Sequence, residues 1–360
     1  MIIDQELSQF ADLAYRTAEA VYLLALAVSL VFYGIIRVAT DRRRERAEEL
    51  SKLKADSREK VLAATGASTT GATSGGIAVD DGESAAATSY DYQLPERLRA
   101  DNVRKQVERA DKLGGITQAL VWLGIALHVV FVVLRGMAAG RFPWGNLFEY
   151  VSVVTMFAMI IAALVIRRKS MRVMWPWILT PVALLLFYGG TKLYAQTAPV
   201  VPALKSYWFI IHVSTVSIGG GIGLVSGMAS IMYLFRRVQP KGKEKGIIGA
   251  IVGPLPDAAK LDALAYRTAI WTLPIFGLGI IFGAIWADAA WGRFWGWDPK
   301  ETVSFVTWLL YAGYLHARAT PGWRGPKSAW INVLAFATMV FNLFFINMVV
   351  SGLHSYAGLS

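Results

Sequence analysis

The sequence predicts an all-α polytopic integral membrane protein of about eight transmembrane helices, and three observations carry that prediction. Eight separate apolar runs approach or exceed the ~20 residues needed to cross a hydrocarbon core. The 360 residues are 55% hydrophobic and have a mean hydropathy of +0.44, above the range usual for a soluble domain. Basic residues alternate between rich and poor among the segments that join the runs, as expected of loops on opposite sides of a bilayer.

The first run, 15–38, is too long for a signal peptide and lacks a small-residue cleavage site, so residues 1–40 are read as a retained N-terminal transmembrane helix. Segment 41–113 opens with "DRRRERAEELSKLKADSREK" and passes into "AATGASTTGATSGGIAVDDGESAAATS". The second stretch has almost no large apolar side chains to offset the entropy of ordering, so this cytoplasmic linker is expected to be partly disordered and to act as a tolerated insertion. The runs at 115–138, 147–166, 173–190, 207–235, 268–287, 303–317 and 329–350 form a seven-helix core over 114–360. Each is helical because lipid offers no partner to an unpaired backbone group. Gly219, Gly223 and Gly227, and Gly279 with Gly283, recur at spacings of four and mark close helix packing. No soluble catalytic domain remains.

Segments 41–113, 167–172, 236–267 and 316–327 hold 14, 4, 7 and 3 Lys plus Arg, whereas 135–147, 190–206 and 288–302 hold two each and 351–360 none. The first set is therefore expected on the cytoplasmic side and both termini outside. The net charge of +11 is then a topological signal with some attraction to anionic lipid. No basic groove with interleaved aromatics points to nucleic acid. Cysteine is absent, which excludes disulfides, thiolate nucleophiles and a haem attached through a C-x-x-C-H of the chain's own.

Histidine occurs four times. His212, near the outer end of the fifth run, and His354, just past the eighth, share the level of the segment "WGRFWGWDPKET" at 291–302. His316 sits 14 residues past Thr302, about 21 Å inward at 1.5 Å per residue. His128 falls in the outer half of the second run, at a depth that does not match His316. An imidazole in a bundle either bonds to a neighbouring helix or ligates iron and other transition metals, and the outer pair beside an aromatic segment favours ligation.

Scattered tryptophans are explained by the interfacial aromatic belt. Trp286, Trp291, Trp295 and Trp297 are less so, because they come with Gly292, Gly296, Asp288 and Asp298 in the external segment 286–302. If that run were helical, Trp291, Trp295 and Asp298 would share a face. Indole faces suit a large flat ligand with acidic edges. Porphyrin fits, with axial imidazoles and Arg293 or Lys300 for its propionates; quinone and lipid need no pair of histidines.

"WGRFWGWD" matches the W-G-x-x-W-x-W-D signature of haem-handling membrane proteins. Residues 261–318, with "GRFPWGNLFEY" at 140–150, "HVSTVS" at 212–217 and "GLHSYAG" at 352–358, resemble the CcsA family of cytochrome c biogenesis, also called CcsB or ResC, over about 110–360. The resemblance implies a subunit of the system II cytochrome c synthetase, or haem lyase, in the plasma membrane with its active face extracytoplasmic. It implies haem b as the transported substrate, a ResB-type membrane partner and an apocytochrome c with C-x-x-C-H. By the same resemblance His212 and His354 are external axial ligands, and Trp286, Trp291, Gly292, Arg293, Trp295, Trp297 and Asp298 form the haem platform. His316 would be the iron ligand of an inner site whose second ligand comes from the partner. Arg141 departs from the pattern, since many relatives carry histidine in that loop. A haem transporter without synthetase activity, and a structural subunit of a respiratory complex, remain the alternative readings.

Overall fold

A computed structural model describes residues 3–65 and 89–354, and every regular element among them is helical. The chain divides into two compact units, one of Leu30–Leu113 and one of Met1–Ser29 with Gly114–Ser360. Helix α1, Gln5–Thr65, continues well past the first apolar run. The basic stretch after residue 40 stays helical because its arginines find partners within the smaller unit. Arg42 donates to Gln106 at 3.0 Å and Arg46 to Asp91 at 2.9 Å, and Asp91 also accepts the Ala100 N–H at 3.0 Å at the start of α2, Ala100–Ala139. Most of the low-complexity tract, residues 66–88, lies outside the described residues.

In the larger unit, α3 (Leu147–Val165) starts at Asn146, whose side chain accepts the Glu149 N–H at 2.9 Å. Helix α4 (Trp175–Lys192) has proline in its first turn and Pro181 inside. Helix α5 (Tyr207–Val238) is capped by Ser206. The short α6 (Gly246–Val252) leads to α7 (Ala258–Trp291), α8 (Pro299–Ala319) and α9 (Pro326–Phe341), the last continuing into one π-helical turn, Asn342–Ile346.

Seven helical stretches among the described residues are long and apolar enough to cross a membrane, so this is a multi-pass membrane protein. The run expected at 303–317 is helical within α8 but is not one of the seven; its threonines, tyrosines and His316 dilute its apolarity. The last span, expected to reach residue 350, loses regular α-helix at Asn342.

Helix α5 packs most extensively on α7 and also meets α3 and α9. Its glycines make this possible, since a Cβ at Gly219 would lie 3.1 Å from the Phe276 backbone of α7, and one at Gly221 only 2.8 Å from the Ala158 nitrogen of α3. Asn332 of α9 donates to Ser226 and Ser230 of α5 at 2.9 and 2.7 Å, a polar tie of the kind that holds apolar helices in register.

A valine at Gly221 should therefore destabilise the protein by about 1–3 kcal/mol, because backbone stands where its side chain must go. An alanine at Gly313 of α8, which has no atom within 4 Å, should be neutral or stabilising. Thermal melting of the two detergent-purified variants checks the contrast; equal melting temperatures would refute it.

Candidate functional site

Helix α7 ends where Gly292 adopts φ 70°, ψ 21° and its N–H bonds to Asp288 O at 2.8 Å. From there the chain is non-helical to Asp298, and it reverses through Trp297 at φ 56°, a conformation that costs a non-glycine residue about 1–3 kcal/mol. The helical reading of Trp291, Trp295 and Asp298 on one face therefore does not hold, because the left-handed glycine stops the helix. Pro299 then opens α8 behind an Asp298 capping box. Glu301 accepts the N–H groups of Asp298 and Gly296 at 3.2 and 2.9 Å, and Arg293 pairs with Glu301 at 3.3 Å.

Asp298 also reaches the end of the described chain. Its Oδ1 accepts the Leu353 N–H at 2.8 Å and its Oδ2 faces His354 Nδ1 at 2.7 Å. Gly352 permits this approach, since a Cβ there would lie 2.7 Å from the carboxylate. A carboxylate acceptor makes Nδ1 the donor and Nε2 the unprotonated nitrogen, the tautomer in which a carboxylate-oriented histidine could ligate a metal. Burial works against the Asp298 charge, but the bonds from His354 and Leu353 outweigh it and hold the carboxyl below its usual range. For His354, burial dominates over the Asp298 contact and lowers its proton affinity.

His212 is held differently. From α5 its Nδ1 donates to the Gly279 carbonyl of α7 at 2.7 Å, which again makes Nε2 the unprotonated nitrogen. Gly283, one turn on, makes room for the ring, because a Cβ there would meet His212 Cε1 at 2.6 Å. Trp286 lies between the two histidines, stacked on His212 at 5.9 Å and 11° and edge-on to His354 at 5.8 Å. Its indole is 1% exposed and donates to Ala203 O at 3.0 Å. Trp291 packs edge-on to both Trp286 and His354, at 4.7 and 5.0 Å.

Both histidines line one largely apolar cavity of about 490 Å³, within the usual size of small-molecule sites. Trp144, Tyr150, Trp295 and Lys300 line it as well. Trp286 and Trp291 instead support the histidines from behind, Trp297 is 67% exposed, and Arg293 lies over Trp291 at 5.9 Å and at Glu301, outside the lining. The described residues hold no cluster of three or more metal-ligating side chains. Two imidazoles suit a metal that brings its equatorial ligands with it, as a porphyrin does.

His316 lies near the opposite end of α8 with its side chain exposed and is not among the residues that line the cavity. His128 is buried against Tyr22 and Phe131. Arg141 belongs to a buried ion cluster, bonding Glu149 at 2.8 Å beside Arg135 at 2.9 Å. Sequence reasoning missed Trp144, Tyr150, Asn342 and Asn347. Asparagine inside the apolar run "FNLFFINMVV" was the available signal, since such groups are costly in a membrane.

The depressed Asp298 carboxyl fixes a pH dependence. Its contribution is present above the carboxylate's unfolded value and is lost as pH falls through the lower folded one. Thermal melting in detergent should fall over that window, and the fall should be shallower in Asp298→Asn. An unchanged slope in the variant would show that another group dominates.

The family described as Cytochrome C assembly protein matches residues 113–354. The cytochrome c biogenesis protein CcsA of Guillardia theta is 34% identical over 254 residues, covering 66% of this chain and 84% of that protein. CcsA of Chlamydomonas reinhardtii is 34% identical over 244 residues, covering 66% and 67%, and CcsA of Parasynechococcus marenigrum (strain WH8102) is 32% identical over 270, covering 67% and 86%. The match spans every helix that builds the cavity and both histidines that line it, and the chain belongs to the cytochrome c assembly protein family.

Proposed function

We propose that this chain carries haem b across the membrane and presents it, at an extracytoplasmic site between His212 and His354, for thioether attachment to C-x-x-C-H apocytochromes, acting with a ResB-type partner as a cytochrome c synthetase. Its role in cytochrome c assembly, and with it the handling of haem and apocytochrome c, follows from the family. The observation that carries the finer reading is one apolar cavity lined by two histidines whose Nδ1 atoms are both committed to protein acceptors. Basic residues rich in the alternate loops support the external orientation.

When bound, haem supplies two vinyl groups, across each of which a substrate thiol adds, the sulfur bonding to one carbon and a hydrogen to the other without net oxidation. The chain's residues position the reactants. Gly279 and Asp298 aim the two imidazoles, Trp286 buttresses both rings, and Trp295 with Trp144 excludes water from the cavity. No thiol of the chain competes for the vinyls, because it has no cysteine. Catalysis on this reading comes mostly from orientation. The exposed side chain of His316 supports an inner site that a partner completes.

His212→Ala or His354→Ala should abolish the sharp reduced α-band of the protein purified with its partner and lower cytochrome c yield, with added imidazole restoring both in part. Asp298→Asn should weaken haem retention roughly 10–100-fold while leaving His212 in place. His316→Ala should reduce haem loading of the outer site. A colourless wild-type protein under all conditions, oxidised or reduced, would refute the reading.

A further inference from the structure

Lys300 is the one lysine or arginine among the described residues that line the cavity. The arginines nearest the cavity are engaged by carboxylates. Arg293 is paired with Glu301, and Arg135 and Arg141 with Glu149. The Asp298 carboxylate, two residues before Lys300, is occupied by His354 and Leu353. The Lys300 ammonium donates to the neutral Oδ1 of Asn347 at 2.6 Å and lies 6.0 Å from the Tyr150 ring centroid, and the wall around it is largely apolar, its carboxylate Glu301 being engaged by Arg293 and by the N–H groups of Gly296 and Asp298. A cation held in such surroundings is costly unless an opposite charge meets it.

The holding is deliberate in its construction. Asn347 Nδ2 donates to the Leu343 carbonyl at 2.6 Å, in the π-helical turn that ends α9, and Asn342 of the same turn donates to Ser304 Oγ of α8 at 2.7 Å. These bonds tie the end of α9 to the first turns of α8 and fix Asn347 where it receives the ammonium. π-Helical turns are uncommon and recur at functional sites.

We infer that Lys300, aimed by Asn347, is the carboxylate-recognition group of the cavity and selects ligands that carry an anionic group over otherwise identical neutral ones. The inference deepens the haem reading and rests on it, a porphyrin propionate being the carboxylate concerned. With a single cation in the lining, one carboxylate is gripped and the macrocycle is oriented by that edge. Arg293, although closer to the tryptophans in sequence, is spent on Glu301.

The test compares ferric protoporphyrin IX with its dimethyl ester, titrated against the full chain in one detergent and followed by quenching of tryptophan fluorescence. Wild type should bind the diacid about tenfold or more tightly than the ester, the range of a charge-assisted hydrogen bond. Lys300→Met should bring the two affinities within about twofold, whereas Lys300→Arg should keep a preference, and Asn347→Ala should reduce it. The wild-type comparison needs no variant, so a misfolded Lys300→Met leaves the inference open to refutation. Equal wild-type affinities, or a preference that survives Lys300→Met, would overturn the role of Lys300 while leaving haem binding intact. Binding of neither compound would overturn the haem reading itself.

Discussion

One carboxylate organises the tryptophan end of the larger unit. Asp298 caps α8, accepts the Leu353 N–H and orients His354, so the start of a long helix and the last described residues of the chain share a single anchor. Glu301 closes the capping box from the other side and in doing so engages Arg293. The aromatic residues between Gly292 and Asp298 are then suspended from fixed points at both ends, with few backbone bonds of their own. Substituting any member of this set alters the geometry of the others, because each acceptor serves more than one donor.

The sequence was legible where residue type alone carries the information. Apolar runs report spans because lipid tolerates only satisfied backbone, and four histidines in 360 residues stand out by rarity. Contacts made by distant segments were not legible. Trp144 and Tyr150 reach the cavity from the start of α3, and Asn347 from the end of α9, and no local pattern links these stretches to residue 300. The choice between Arg293 and Lys300 depended on the direction the chain takes after the left-handed Gly292, which periodicity assumes away. Helix lengths were underestimated for a related reason. Past residue 40 the arginines of α1 meet acidic and amide partners from a later segment, so hydropathy ends before the helix does.

The glycines of α5 and α7 serve two ends at once. Gly219 and Gly221 bring helix backbones together, which stiffens the central part of the bundle. Gly279 and Gly283 use the same close approach to place a carbonyl and a gap at His212. A bulkier residue at Gly283 would displace the imidazole rather than loosen the helices, so what reads as a packing motif is also the socket of a candidate ligand. Trp286 completes it by stacking on the ring from the next turn.

The two histidines are consequently built to respond to different things. His212 hangs on a helix carbonyl, which neither gains nor loses charge, so its aim depends on the packing of α5 against α7. His354 hangs on an ionised carboxylate at the end of a short non-helical stretch, so its aim depends on the charge of Asp298 and on whatever competes for it. Lys300 sits within this second arrangement but spends its own bond on Asn347, which leaves Asp298 to His354. That separation lets one helix start orient the His354 imidazole through Asp298 and hold the Lys300 ammonium on Asn347 two residues later. A direct Lys300–Asp298 pair would satisfy both charges, and in doing so would remove the orienting group from the imidazole and the counter-charge from the cavity.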